Sequence, residues 1–171
     1  MKRVAILISG RGSNMTALVK AAKAENFPAE IVIVISNKSE AAGLTNAQAA
    51  GIPTLVIESK SFGKDRNAFE AKLQSALDDN RIDLICLGGF MRLFTAEFVQ
   101  RWHGRMLNIH PSLLPSYKGL HTHEQAIANA DSHAGCSVHL VTAELDDGPV
   151  LGQTPVAVLP GDTAETLAAR V

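Results

Sequence analysis

Asn108 and His110 are the residues of this sequence best suited to do chemistry. They stand two apart in Leu107-Asn108-Ile109-His110-Pro111-Ser112-Leu113-Leu114-Pro115, and side chains two apart on an extended strand share a side. Pro111 keeps His110 out of the helical region and offers no N–H, so the imidazole leaves a fixed, extended backbone. A carboxamide N–H can donate to an oxygen that turns negative in a tetrahedral intermediate, and a neighbouring imidazole can move a proton near pH 7. Asp146, in Glu144-Leu145-Asp146-Asp147-Gly148-Pro149, is the third candidate, because a carboxylate at a strand end could orient His110 and stabilise its imidazolium. The three together are acyl-transfer equipment without an evident nucleophile: Gly-x-Ser-x-Gly is absent, and Ser112 opens no strand-turn-helix elbow. Each also has a plainer reading, as a hydrogen-bonded strand end for Asn108 and His110 and as an ordinary turn for Asp146.

A second kind of chemistry is written in Ser9-Gly10-Arg11-Gly12-Ser13-Asn14, which leaves an apolar strand and opens a helix. Backbone N–H groups and the helix dipole at such a place suit an anion. Met15 stands where a dinucleotide loop needs its third glycine, the second strand ends in Ser36-Asn37 without a carboxylate for a ribose, and Gly-Lys-Ser/Thr is missing. A phosphate monoester is therefore the expected ligand, a tight turn with Ser13 as N-cap being the alternative. Gly88-Gly89-Phe90-Met91-Arg92-Leu93 could wall a slot for a flat ligand and its carboxylate, or Phe90, Met91 and Leu93 could be plain core. His121, His123 and His139 lack nearby Cys or suitably spaced carboxylates, so no metal is expected.

These residues need a scaffold, and the periodicity supplies one. Val4–Ile8, 31–35, 54–57, 84–87 and 106–109 read as strands rich in Ile, Val and Leu on both faces, alternating with helical stretches 15–24, 41–50, 66–77 and 95–102. That order implies an α/β fold with a doubly wound, mostly parallel, Rossmann-like open sheet, in which ligands sit beyond the carboxyl ends of the strands. After Gly119 come a short helix near 124–129 and two strands, 137–141 and 150–158, joined by the Asp146-Asp147-Gly148 turn and partly antiparallel. Asp162 or Thr163 then caps a helical pattern through residues 164–171. No linker or composition step interrupts the 171 residues, which read as one domain.

Composition narrows the partners. With 46% hydrophobic residues and a formal charge of −1, the chain has a globular core but not the basic footprint of a nucleic-acid binder. No apolar run approaches the roughly 18 residues of a membrane span, and no signal peptide opens the sequence. Cys86 and Cys136 read as free, buried thiols in a reducing, cytoplasmic compartment.

Gly10-Arg11-Gly12-Ser13-Asn14, Gly89-Phe90-Met91-Arg92, the Asn108–Pro115 segment and Leu145-Asp146-Asp147-Gly148-Pro149, in this order along the whole chain, resemble the folate-dependent formyltransferases. The Asn-x-His-x-Ser-Leu-Leu-Pro run with a later Asp marks the superfamily. Ser116-Tyr117-Lys118-Gly119-Leu120-His121-Thr122-His123 is similar to the branch that formylates phosphoribosylglycinamide (GAR) in purine biosynthesis. The resemblance implies transfer of a formyl group from N10 of 10-formyltetrahydrofolate, a cosubstrate, to the amine of GAR. It implies that Asn108 polarises the formyl oxygen, that His110 assists proton movement and oxyanion stabilisation, and that Asp146 sets the charge of His110 and shuttles a proton. It further implies a GAR phosphate cradle at Gly12, Ser13 and Asn14, and folate contacts at Arg66, Met91, Arg92, Leu93 and Phe94, with Asn108 touching both substrates. The single formyltransferase domain, 1–171, would place GAR on its N-terminal side and folate and catalysis on its C-terminal side. The protein would be a monomer or homodimer, and a further C-terminal helix bearing a substrate-side glutamate would follow residue 171. Arg11 occupies a position that varies in the family. A deformylase, a tRNA formyltransferase and a non-catalytic phosphosugar or folate binder are the competing readings, and only the enzymes require Asn108, His110 and Asp146 together.

Overall fold

Five successive aliphatic side chains, Val4–Ile8, are buried in strand β1 (Lys2–Ile8), which only a strand covered on both faces can accommodate. In the computed structural model, which describes residues 1–171, β1 pairs in parallel with β2 (Ala29–Ser36) on one side and β4 (Leu84–Leu87) on the other. Strand β3 (Thr54–Val56) adds to β2, also in parallel. The chain leaves β1 for β2 and β3 on one flank and returns to β4 on the opposite flank, so the direction of winding reverses between β1 and β4. That reversal opens a crevice beyond the carboxyl ends of these two strands.

These four strands belong to the first of two compact units, Met1–Leu107. Its helices are α1 (Ser13–Ala21), α2 (Ala42–Ala49), α3 (Arg66–Asp79) and α4 (Ala96–Arg101). Helix α3 buries Phe69, Leu73 and Leu77, one per turn, as their spacing predicts. Asp65 caps it by accepting from the Ala68 N–H at 2.9 Å, and Thr95 caps α4 by accepting from Phe98. Thr95 is thus the cap of α4 and not part of its body. Helix α1 is shorter than its pattern suggests: beyond Ala21 the Lys23 and Ala24 amides bond three residues back, to Lys20 and Ala21, which tightens and ends the helix.

Strand β5 (Met106–His110) carries the chain into the second unit, Asn108–Val171. Here α5 (Thr122–Ala128) is followed by β6 (His133–Leu140) and β7 (Val150–Ala157), an antiparallel pair. Strand β6 starts at His133, four residues before the aliphatic pattern alone predicts. Pairing with β7, His133 against Ala157, carries Gly135 and its neighbours into the ladder whatever their own preference. Helix α6 (Ala164–Arg170) matches the helical pattern read through residues 164–171. Thr163 is its cap, in a reciprocal box with Thr166, while Asp162 binds the Arg170 guanidinium. Leu167 anchors it beside Ala126 and Ala134. The full strand order is β3-β2-β1-β4-β5-β6-β7, an α/β fold with a mixed, mostly parallel open sheet.

Candidate active site

In the first unit a buried polar chain runs along the carboxyl ends of the parallel strands. Asn37, after β2, donates to Ser59 Oγ at 3.2 Å and accepts from Ser9 Oγ, after β1, at 2.6 Å. Ser9 Oγ in turn accepts from the Met91 N–H, after β4, at 2.8 Å. Ser9, Asn37 and Ser59 are all buried, so each bond is worth more by being made than its small net energy suggests. Their role is to hold the loops after β1 and β4 in register. Asn37 is a member of this chain, which gives a structural reason for an amide where a dinucleotide site would carry a carboxylate.

Gly12, Ser13 and Asn14 form the start of α1. Gly12 is the N-cap, in the left-handed region at φ 69°, and makes no side-chain cap bond. Ser13 is therefore the first helical residue and not the cap. No acidic residue occupies the first turn, and the leading N–H groups of a helix have no partner within it, so this terminus suits an anion. The backbone of the loop is set by contact with α2. The Gly43 amide donates to the Gly10 carbonyl at 3.0 Å, and a β-carbon on Gly43 would lie 2.6 Å from Ile8 Cδ1 and 3.0 Å from that same carbonyl. Gly43→Ala is expected to cost about 1–3 kcal/mol by overpacking, seen as a lower urea midpoint with an unchanged slope.

Arg66, Arg92 and Leu93 line one cleft of about 390 Å³ together with Gly63 and Lys64. Arg92 lies over the Phe69 ring at 4.9 Å, a cation–π contact that fixes its guanidinium at the cleft wall. Phe90 and Phe94 stack at 5.4 Å and extend towards Phe69 and Phe98. Met91 and Leu93 are 64% and 59% exposed. The plain-core reading therefore does not hold for these two, whereas Phe90 and Phe94 are half-buried. Three cationic side chains around an open cleft with apolar walls suit a ligand carrying carboxylates and a flat body.

In the second unit, Asn108, His110 and Asp146 come together. His110 Nδ1 faces Asp146 Oδ2 at 3.4 Å, with the two side chains only 5% and 8% exposed. His110 Nε2 lies 2.7 Å from the Tyr117 carbonyl oxygen. A carbonyl can only accept, so Nε2 carries a proton, and the carboxylate at Nδ1 is an acceptor too. Both ring nitrogens thus face acceptors, an arrangement complementary to the imidazolium. Asp146 itself sits at φ 49°, a left-handed conformation Asp adopts more readily than most residues. Its Oδ2 also accepts from the Gly119 N–H at 2.9 Å. Lys118 pairs with Asp147 alongside and holds the Asp147 carboxyl below the usual range. A β-carbon on Gly148 would collide with the Leu140 carbonyl, so the turn that aims Asp146 needs glycine there.

His139 completes the cluster, although by sequence alone it suggests no more than a poor metal ligand. Its Nε2 lies 3.1 Å from Asn108 Nδ2 and 3.7 Å from Asp146 Oδ1. One signal could have found it: Ser137 and His139 are polar residues two apart in a strand, and both are buried. The Tyr117 carbonyl and the Gly119 amide had no such signal, because backbone groups are invisible in residue types. His121 and His123 stand apart at the start of α5. Burial, opposed by nearby Glu124, holds His123 below the usual histidine range. Cys86 and Cys136 are free as expected but half-buried, and burial pushes the Cys86 thiol up to about 11.

The chain is similar to known proteins along nearly its whole length. The family model described as formyl transferase matches residues 2–171. The chain is 50% identical over 169 residues, 99% of its length, to the human trifunctional purine biosynthetic protein adenosine-3, of which it spans 17%. It is 45% identical over 168 residues, 98% of its length, to the phosphoribosylglycinamide formyltransferase of Escherichia coli K12, of which it spans 79%. The crystal structure of phosphoribosylglycinamide formyltransferase from Brucella melitensis superposes with a TM-score of 0.95 at 56% identity, covering 99% of this chain and 87% of that one. With a family match over nearly every residue, and with the fold and catalytic-type cluster described above, this chain belongs to the formyl transferase family.

Proposed function

We propose that the protein transfers the formyl group of 10-formyltetrahydrofolate to the primary amine of GAR, giving formyl-GAR and tetrahydrofolate. The observation that carries this reading is the buried His110–Asp146 pair beside Asn108 at the end of β5, an acid–base and oxyanion set with no nucleophile of its own. Direct transfer needs none. The amine nitrogen attacks the formyl carbon, and the C–N bond forms as the carbonyl electrons move to oxygen. Asn108 donates to that oxygen through Nδ2–H, and the His110 imidazolium supports its charge. The attacking nitrogen then loses a proton, N10 gains one, and the C–N10 bond breaks with N10 taking its electron pair as the oxygen's pair re-forms the C=O bond. Asp146 serves this relay by orienting His110, whose Nδ1 it faces at 3.4 Å, and by accepting and passing on the proton.

In the same reading Gly12, Ser13 and Asn14 hold the phosphate of GAR through the first turn of α1. Arg66 and Arg92 take carboxylates of the folate, while the 91–94 backbone holds its flat portion. The substrates are small molecules, and the chemistry asks for no metal. No helix is long and apolar enough to cross a membrane.

The test is to mix the purified protein with both substrates and follow tetrahydrofolate formation, then repeat without GAR. Product formation that depends on GAR supports the transferase. Formate release without GAR indicates a deformylase instead. Gly12→Asp, which places a fixed carboxylate where the phosphate would sit, is expected to raise KM for GAR at least about tenfold, equivalent to about 1.4 kcal/mol. KM for the folate should change little, and a normal KM for GAR would remove the phosphate from this loop.

A further inference from the structure

We propose that His139 is a positioning residue for formyl transfer, fixing which end of the Asn108 amide is turned towards the reacting oxygen. The inference rests on the function proposed above. An Asn side chain presents its oxygen or its nitrogen according to its neighbours, and only the nitrogen can stabilise an oxyanion.

The neighbours decide it here. His139 Nδ1 lies 2.9 Å from the Leu140 carbonyl oxygen, which only accepts, so Nδ1 carries the proton. The neutral imidazole then has a bare lone pair at Nε2. Asn108 Nδ2, at 3.1 Å, is the group that can donate to it. Were the amide reversed, its oxygen would face that lone pair, and two acceptors would meet in a site where His139 is buried. Donating one hydrogen to His139 leaves the second hydrogen on the same nitrogen for the substrate oxygen. The backbone supports this aim. The register of β6 against β7 slips between Val138 and His139, which pair with Gly152 and Val150, and such irregularities re-aim side chains. Asp146 Oδ1 lies 3.7 Å from His139 Nε2, beyond hydrogen-bond distance, so the contact at 3.1 Å from Asn108 is the one that sets the role of Nε2.

The test combines kinetics with a measurement that needs no substrate. H139F, which keeps a ring but no acceptor, should lower kcat by about 10²-fold, the scale of a misplaced reacting group, with both KM values within about threefold. H139Q, whose amide oxygen can accept from Asn108, should recover at least about tenfold of that loss. In an N108L background H139F should cost little more, because its effect passes through Asn108. In the wild-type protein, nitrogen-15 NMR should show His139 protonated at Nδ1 and bare at Nε2. A near-normal kcat in H139F, an H139Q as slow as H139F, full additivity with N108L, or a proton on Nε2 would each overturn the proposal. If H139F does not fold, H139Q and the nitrogen shifts decide. If the wild-type protein transfers no formyl group, the function above fails, while the nitrogen shifts still report the His139–Asn108 geometry by themselves.

Discussion

Asn108→Leu should lower kcat for formyl transfer by about 10²–10³-fold, the scale on which a single oxyanion donor acts. Leucine has the same number and branching of side-chain heavy atoms as asparagine, so the end of β5 keeps much of its shape while the Nδ2 donor disappears. Because that donor acts mainly on the oxygen that becomes negative, the loss should fall on kcat, with KM for both substrates moving by only a few-fold. A second consequence is physical. Leucine leaves His139 Nε2 without its donor at 3.1 Å, and an orphaned buried acceptor costs about 1–3 kcal/mol. The variant should therefore unfold at a lower denaturant concentration while remaining folded in the assay. Steady-state kinetics with both substrates varied, together with a urea titration, checks both statements. A kcat within about threefold of wild type would show that Asn108 does not stabilise the oxyanion.

Asp146→Asn should lower turnover by at least about 10²-fold while binding survives. The substitution is nearly isosteric, and its amide oxygen can still accept from the Gly119 N–H that Asp146 Oδ2 accepts at 2.9 Å. That same oxygen faces His110 Nδ1 at 3.4 Å and can go on accepting from it. What changes is the charge. The site keeps its shape, but a neutral amide neither supports positive charge on His110 nor accepts and passes on the transferred proton. Both losses lie on the chemical step, so inhibitor affinity should change little as kcat collapses. Glutamate at the same position restores the charge but adds a methylene to a buried turn, so its recovery should be partial. A near-normal kcat in Asp146→Asn would remove the carboxylate from the mechanism.

Much of the fold could be read from the chain because its signals are local. The runs at Val4–Ile8 and 31–35 are apolar on both faces, which fits a covered parallel strand and little else, and Phe69, Leu73 and Leu77 mark a helix face by spacing alone. The boundaries were less legible. Thr95 looks like the first turn of a helix until its hydroxyl is seen capping the Phe98 amide. The start of β6 depends on β7, whose pairing outweighs the weak strand preference around Gly135.

The candidate site divides in the same way. Residue types and two-residue spacing, with a resemblance that covers the whole chain, are enough to nominate Asn108, His110 and Asp146, to place an anion at Gly12–Asn14, and to mark 89–94 as a slot. Spacing along a chain carries no information about direction across it. Only the tertiary structure could show both nitrogens of His110 facing acceptors, one of them a backbone carbonyl from Tyr117. It alone could exempt Met91 and Leu93 from the core, or bring Gly43 against the Gly10 carbonyl. His139 is the sharpest case. In the sequence it is a histidine with no useful neighbour, whereas in the fold a strand irregularity between Val138 and His139 accompanies its contact with the Asn108 amide. Residue types and spacing settle which chemical groups this protein has and which elements carry them. The structure decided which way those groups face, because hydrogen-bond roles are settled by partners distant in the chain and by backbone atoms that residue types do not reveal.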